Sequence, residues 1–84
     1  MISARIQMNN PLGLHLRPVG VLCTEALNYE CKIEIKKDNI VANAKSVLSV
    51  LAAGIRYGEE FELICSGSDE KAALDTLKKL FEDS

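Results

Sequence analysis

The chain has 84 residues, ten Lys and Arg against twelve Asp and Glu, and a formal charge of −2. That length suits one small core, and a 48% hydrophobic share argues against disorder. Aromatics make up only 5% with no Trp, and the charge is slightly acidic, so neither a stacking platform nor a general phosphate-binding surface for nucleic acid is expected. The three cysteines, Cys23, Cys31 and Cys65, form no CxxC pair, and the one histidine is far in sequence from two of them. Reduced, mostly buried thiols are expected, with no disulfide framework and no metal site. No apolar run is long enough for a membrane span and no secretory signal is visible, which makes the cytoplasm the expected location.

Ile2, Ala4, Ile6 and Met8 alternate with Ser3, Arg5 and Gln7, the period of a half-buried strand. Asn9-Asn10-Pro11-Leu12-Gly13 breaks it with turn residues. A helix is expected from about residue 16, with Val19, Leu22, Cys23, Ala26 and Leu27 as its apolar stripe, Pro18 in its opening turn and Asn28-Tyr29 at its end. His15 then stands at or next to the N-cap. Cys31, Ile33 and Ile35 mark a second strand, Asp38-Asn39 a two-residue hairpin turn, and Ile40 to Asn43 the returning strand.

Ser46 suits the N-cap and Gly54 the stop of a two-turn helix. Val47, Val50 and Leu51 have the spacing to face a sheet. Leu48 either joins the core or points outward. Glu60 to Ser66 is the fourth strand, and Ser68 or Asp69 can cap a last helix that turns Ala73, Leu74, Leu77, Leu80 and Phe81 inward. The order β-α-β-β-α-β-α predicts an α+β, open-faced two-layer sandwich: a four-stranded antiparallel sheet covered on one face by three helices, all within a single domain spanning 1–84.

Gly13-Leu14-His15-Leu16-Arg17-Pro18 carries the chemistry. The first turn of a helix has unpaired N–H groups and the positive end of the dipole, a favourable place for an anion. That field disfavours imidazolium and leaves a neutral ring able to act as a nucleophile. The Arg17 guanidinium suits phosphate oxygens. The same residues also suit a plain capping histidine and a surface arginine, and residue chemistry leaves both readings open.

The stretch from Gly13 to Pro18 resembles the active-site signature of HPr, the histidine-containing phosphocarrier family of the bacterial phosphoenolpyruvate-dependent sugar phosphotransferase system. Lys45-Ser46-Val47-Leu48, followed by Gly54, resembles that family's second, regulatory signature. The resemblance covers the whole chain. It implies that His15 accepts phosphate on Nδ1 from enzyme I and passes it to enzyme IIA domains, with Arg17 steadying the phosphoryl group. It also implies that Ser46 is modified by the HPr kinase/phosphorylase, and that the phosphoserine form binds the catabolite control protein. Docking is expected on Leu16, Gly20, Leu48 and Leu51. No cofactor, no membrane insertion and no direct nucleic-acid partner are expected. The protein would be a monomer and a transfer intermediate rather than a turnover enzyme. Leu16 and Val19 depart from the small residues common in the family, and Gly20 and Ser49 are also untypical. A regulatory binding module with slow or absent transfer at His15 is therefore the alternative expectation.

Overall fold

The computed structural model describes residues 1–14 and 16–82. Among them, chain order gives β1 (Ile2–Gln7), α1 (Leu16–Ala26), β2 (Lys32–Lys37), β3 (Ile40–Asn43), α2 (Val47–Ala53), β4 (Glu60–Ser66) and α3 (Glu70–Glu82). The strands form one antiparallel sheet in the order β1-β4-β2-β3. This is the expected HPr-like, open-faced arrangement, and β4 sits inside the sheet although it comes last in sequence.

Alternation fixes the two faces of the sheet. Ile33 and Ile35 of β2 and Phe61, Leu63 and Cys65 of β4 are buried, while Lys32 and Lys36 are exposed and Glu34 and Glu62 are partly so. The helices close the inner face with Val19, Leu22, Cys23 and Ala26 from α1, Val50 and Ala53 from α2, and Ala73, Leu77 and Phe81 from α3. Burying each large side chain contributes about 1.5–3 kcal/mol. The Phe61 and Phe81 rings meet edge to face, with centroids 5.0 Å apart.

Three local expectations change. The first helix ends at Ala26, where N–H groups of Leu27, Asn28 and Tyr29 close a final turn onto Cys23, Glu25 and Ala26. Leu27 therefore leaves the apolar stripe and is 65% exposed. In α3, Leu74 and Leu80 are only half-buried at the edge of the core. The hairpin pairs Lys37 with Ile40 as expected, but only Asp38 of the two turn residues takes a positive φ, 53°.

The start of α3 also differs. Asp69 occupies the capping position through its carbonyl, which accepts from the Ala73 N–H at 3.0 Å. Its carboxylate turns away from the helix and accepts from the N–H groups of Glu30 and Cys31, both at 2.9 Å. Those donors precede β2, so one side chain ties the entry of the second strand to the last helix. Glu70 closes the local turn instead, accepting from the Gly67 N–H at 3.1 Å and pairing with the N-terminal amine at 3.1 Å.

Candidate functional site

His15 lies outside the described residues; the chain on either side of it is described. The preceding loop is closed by local bonds. Asn10 accepts from the Leu12 N–H through its side chain at 3.0 Å and from the Gly13 N–H through its carbonyl at 2.8 Å. Gly13 has φ 71°, and a Cβ there would stand 2.8 Å from the Ile55 carbonyl oxygen. Only glycine fits both conditions. The close approach lets the Leu14 N–H donate to that same carbonyl at 3.0 Å, while the Leu14 side chain is buried.

After position 15, α1 opens with Leu16, Arg17 and Pro18, and its first turn carries no acidic residue. Pro18 has no N–H to lose there and its fixed φ fits the opening turn. Arg17 is exposed and, among the described residues, makes no ion pair or side-chain hydrogen bond. Leu16 is 67% exposed. Leu16, Arg17, Gly20, Val21, Thr24 and Glu25 line a shallow, mostly apolar groove along the outer side of α1. A Cβ on Gly20 would meet nothing within 4 Å, so this glycine leaves the groove open without relieving a clash.

The second motif is built by α2, which packs against α1. Ser46 has φ −119° and ψ 114°, an extended backbone just before the helix, and its hydroxyl accepts from the Ser49 N–H at 3.4 Å. That length marks a weak cap. Gly54 ends the helix with φ 63° and its N–H bonded to the Leu51 carbonyl. Ser49, untypical at its position, plays a structural part. Its hydroxyl accepts from the Asn43 N–H at 2.9 Å and joins the end of β3 to α2. Lys45 reaches back to the Tyr29 carbonyl at 2.6 Å, near the exit of α1.

The open choice for Leu48 resolves outward: it is 79% exposed, while Val50 is buried and Val47 and Leu51 are half-buried against the core. Leu51 therefore offers a docking partner only part of its surface. The α1 groove does not include Leu48 or Leu51 in its lining, so the expected docking residues fall into two neighbouring groups rather than one pocket.

The thiols do not supply chemistry. All three are buried, and burial pushes each pKa up, Cys65 to about 11. They are protonated near neutral pH and poor nucleophiles. No helix among the described residues is long and apolar enough to cross a membrane.

Residues 2–83 match the family model for the PTS HPr component phosphorylation site. The chain belongs to the HPr family. It is 35% identical over 83 residues to the phosphocarrier protein HPr of Treponema pallidum (strain Nichols), covering 99% of this chain and 94% of that protein. It is 30% identical over 77 residues to the HPr-like protein Crh of Bacillus subtilis (strain 168), covering 92% and 91%. The fold superimposes on the crystal structure of an HPr from Thermoanaerobacter tengcongensis with a TM-score of 0.95 at 32% identity, covering 99% of this chain and 93% of that one. An HPr of the phosphotransferase system is a phosphocarrier, and that coarse assignment holds for this chain.

Sequence reasoning missed two parts of the site frame. One is the clamp between the loop before His15 and the loop after α2. The other is the pair Lys37 and Glu59 at the base of that second loop, joined at 2.9 Å. Each links residues more than twenty positions apart, and neither leaves a periodic signal or a short motif.

Proposed function

We propose that this chain accepts a phosphoryl group on His15 from phosphorylated enzyme I and passes it to enzyme IIA domains of sugar permeases. The observation that carries this reading is the phosphorylation-site family match over residues 2–83, a span that contains Gly13-Leu14-His15-Leu16-Arg17-Pro18. In the transfer, a lone pair on the His15 ring forms the new N–P bond as the phosphorus–donor bond breaks. The ring must be neutral to attack. Arg17, exposed in the first turn of α1, has a guanidinium fork suited to pair with the phosphoryl oxygens. The absence of carboxylates from that turn favours the arriving anion.

Leu16 and Gly20 on α1, with Leu48 and part of Leu51 on α2, form the docking face for successive partners. Ser46 is the regulatory site for HPr kinase/phosphorylase. Its hydroxyl has only a 3.4 Å helix bond to give up, and phosphate at a helix start is electrostatically favourable. The phosphoserine form is read by a catabolite control protein. The chain acts as a cytoplasmic, monomeric, single-domain transfer intermediate without turnover of its own or a cofactor.

The test is incubation with radiolabelled phosphoenolpyruvate and enzyme I. Wild type should gain acid-labile, base-stable label, and His15→Ala should gain none while keeping the wild-type circular dichroism spectrum. Equal labelling of that variant overturns the assignment. Similarity to the HPr-like protein Crh supports a second reading, a regulatory module labelled on Ser46 by the kinase but not on His15 by enzyme I.

A further inference from the structure

We propose that Glu59 is a positioning residue for the loop that presents the phosphoryl acceptor, acting through the backbone of residues 55–59; this rests on the phosphocarrier reading of His15. The Glu59 carboxylate accepts from the Arg56 N–H at 2.6 Å, and the Glu59 N–H donates to the Arg56 carbonyl at 3.1 Å, so the turn between them is closed from both sides. Lys37, at the end of β2, lies 2.9 Å from each carboxylate oxygen. The side chain of Lys37 is only 18% exposed and that of Glu59 35%, which sets this pair apart from a freely solvated surface contact.

The turn held in this way grips both ends of the loop before His15. At one end the Met8 N–H donates to the Glu59 carbonyl at 2.9 Å and the Gly58 N–H to the Met8 carbonyl at 2.8 Å. At the other, the Leu14 N–H donates to the Ile55 carbonyl at 3.0 Å. A continuous path therefore runs from the sheet through Lys37 and Glu59 to the residue immediately before the acceptor. Near-attack geometry is sensitive to displacements of an ångström. Removing the carboxylate frees the Arg56 N–H and Lys37 together, and the Ile55 carbonyl loses its fixed position beneath Gly13 and Leu14. Glu59 belongs neither to the α1 groove nor to α2, so its loss should impair the chemical step and leave partner docking intact.

Two readouts on the full chain test this: amide hydrogen exchange on the free protein, and steady-state phosphorylation by enzyme I. In Glu59→Ala, exchange at Leu14 and Gly58 should accelerate about tenfold more than at Ile35 and Leu63 in the sheet. Maximal phosphorylation should fall about fivefold or more, with KM for the carrier within about twofold of wild type. Glu59→Gln retains an oxygen for the Arg56 N–H but loses the charge pair, and should fall between wild type and Glu59→Ala. Lys37→Met should match Glu59→Gln, with the double variant no worse than either single change. Uniform acceleration of exchange across sheet and loop, an unchanged maximal rate, or a loss confined to KM overturns the proposal. Wild type that takes no label from enzyme I overturns the phosphocarrier reading instead, and exchange at Leu14 then still decides whether Glu59 holds the loop.

Discussion

The helical layer has two regions that differ in what they leave facing solvent. The outer side of α3 is charged, with Lys71, Asp75, Lys78, Lys79 and Glu82 exposed and no large apolar side chain among the exposed ones. The outer sides of α1 and α2 leave Leu16, Val21 and Leu48 uncovered. The helix starts differ in the same sense. Glu70 sits in the first turn of α3, where the Gly67 N–H first and the N-terminal amine next hold its carboxyl below the usual range. The first turns of α1 and α2 have no acidic residue. One region neutralises its own polarity and closes the core. The other leaves apolar side chains and positive helix ends available to a partner and an anion. Leu16 and Val21 on α1 and Leu48 on α2, two helices in contact, carry the apolar part of the proposed docking face.

Four variants sharpen or break this contrast, in order of their effect on stability. Leu77→Ala removes a fully buried side chain from α3. It should cost about 2–5 kcal/mol in a denaturant melt, while the fraction that remains folded charges at the normal rate. Slower charging of that folded fraction would show that α3 contributes to transfer beyond its structural role.

Asp69→Asn tests the start of α3 through pH. The Glu30 N–H, together with the thiol and N–H of Cys31, holds the Asp69 carboxyl below its ordinary value. A depressed carboxyl stabilises the fold above its unfolded pKa, about 3.9, and that contribution is lost as pH falls through the folded value. The melting temperature of wild type should therefore exceed that of Asp69→Asn at neutral pH. The gap should narrow as pH falls below about 4. A gap independent of pH would show that the ionised carboxylate is not what ties β2 to α3.

Ser46→Ala removes the cap of α2. Because the bond is 3.4 Å long, the cost should lie at the low end of capping effects, about 0.5 kcal/mol. A loss near 2 kcal/mol would make Ser46 a major stabilising residue and count against its being free for modification. Leu48→Glu should change stability by less than about 0.5 kcal/mol, since the side chain is already in water. Its transfer rate from enzyme I should nevertheless fall about tenfold. A stable Leu48→Glu protein that charges normally would remove α2 from the docking face.

Much of the fold was legible because its signals are local and periodic. Alternation marked β1, β2 and β4, the hairpin turn placed β3 at Ile40 to Asn43, and Ser46 and Gly54 bracketed α2 at the expected positions. Leu27 was misread because α1 ends at Ala26 and the closing turn that follows leaves the Leu27 side chain in solvent; sequence period does not register where a chain turns. The motif from Gly13 to Pro18 was legible as a family signature that names His15 and Arg17, whereas residue chemistry alone left a capping histidine and a surface arginine open as well.

The sequence by itself determined the order of elements, the buried faces of β1, β2 and β4, and the family with the position of its candidate acceptor, since these rest on local periodicity and short motifs. Only the tertiary structure decided that Leu48 faces solvent, that the Asp69 carboxylate bonds the entry of β2 while its carbonyl serves α3, and that Lys37 pairs with Glu59 at the turn bonded to the loop before His15. These depend on partners brought together from distant positions by the sheet order β1-β4-β2-β3, in which the last strand enters between the first two. A carboxylate takes whichever donors the folded chain brings within about 3 Å, and sequence spacing carries no record of that choice.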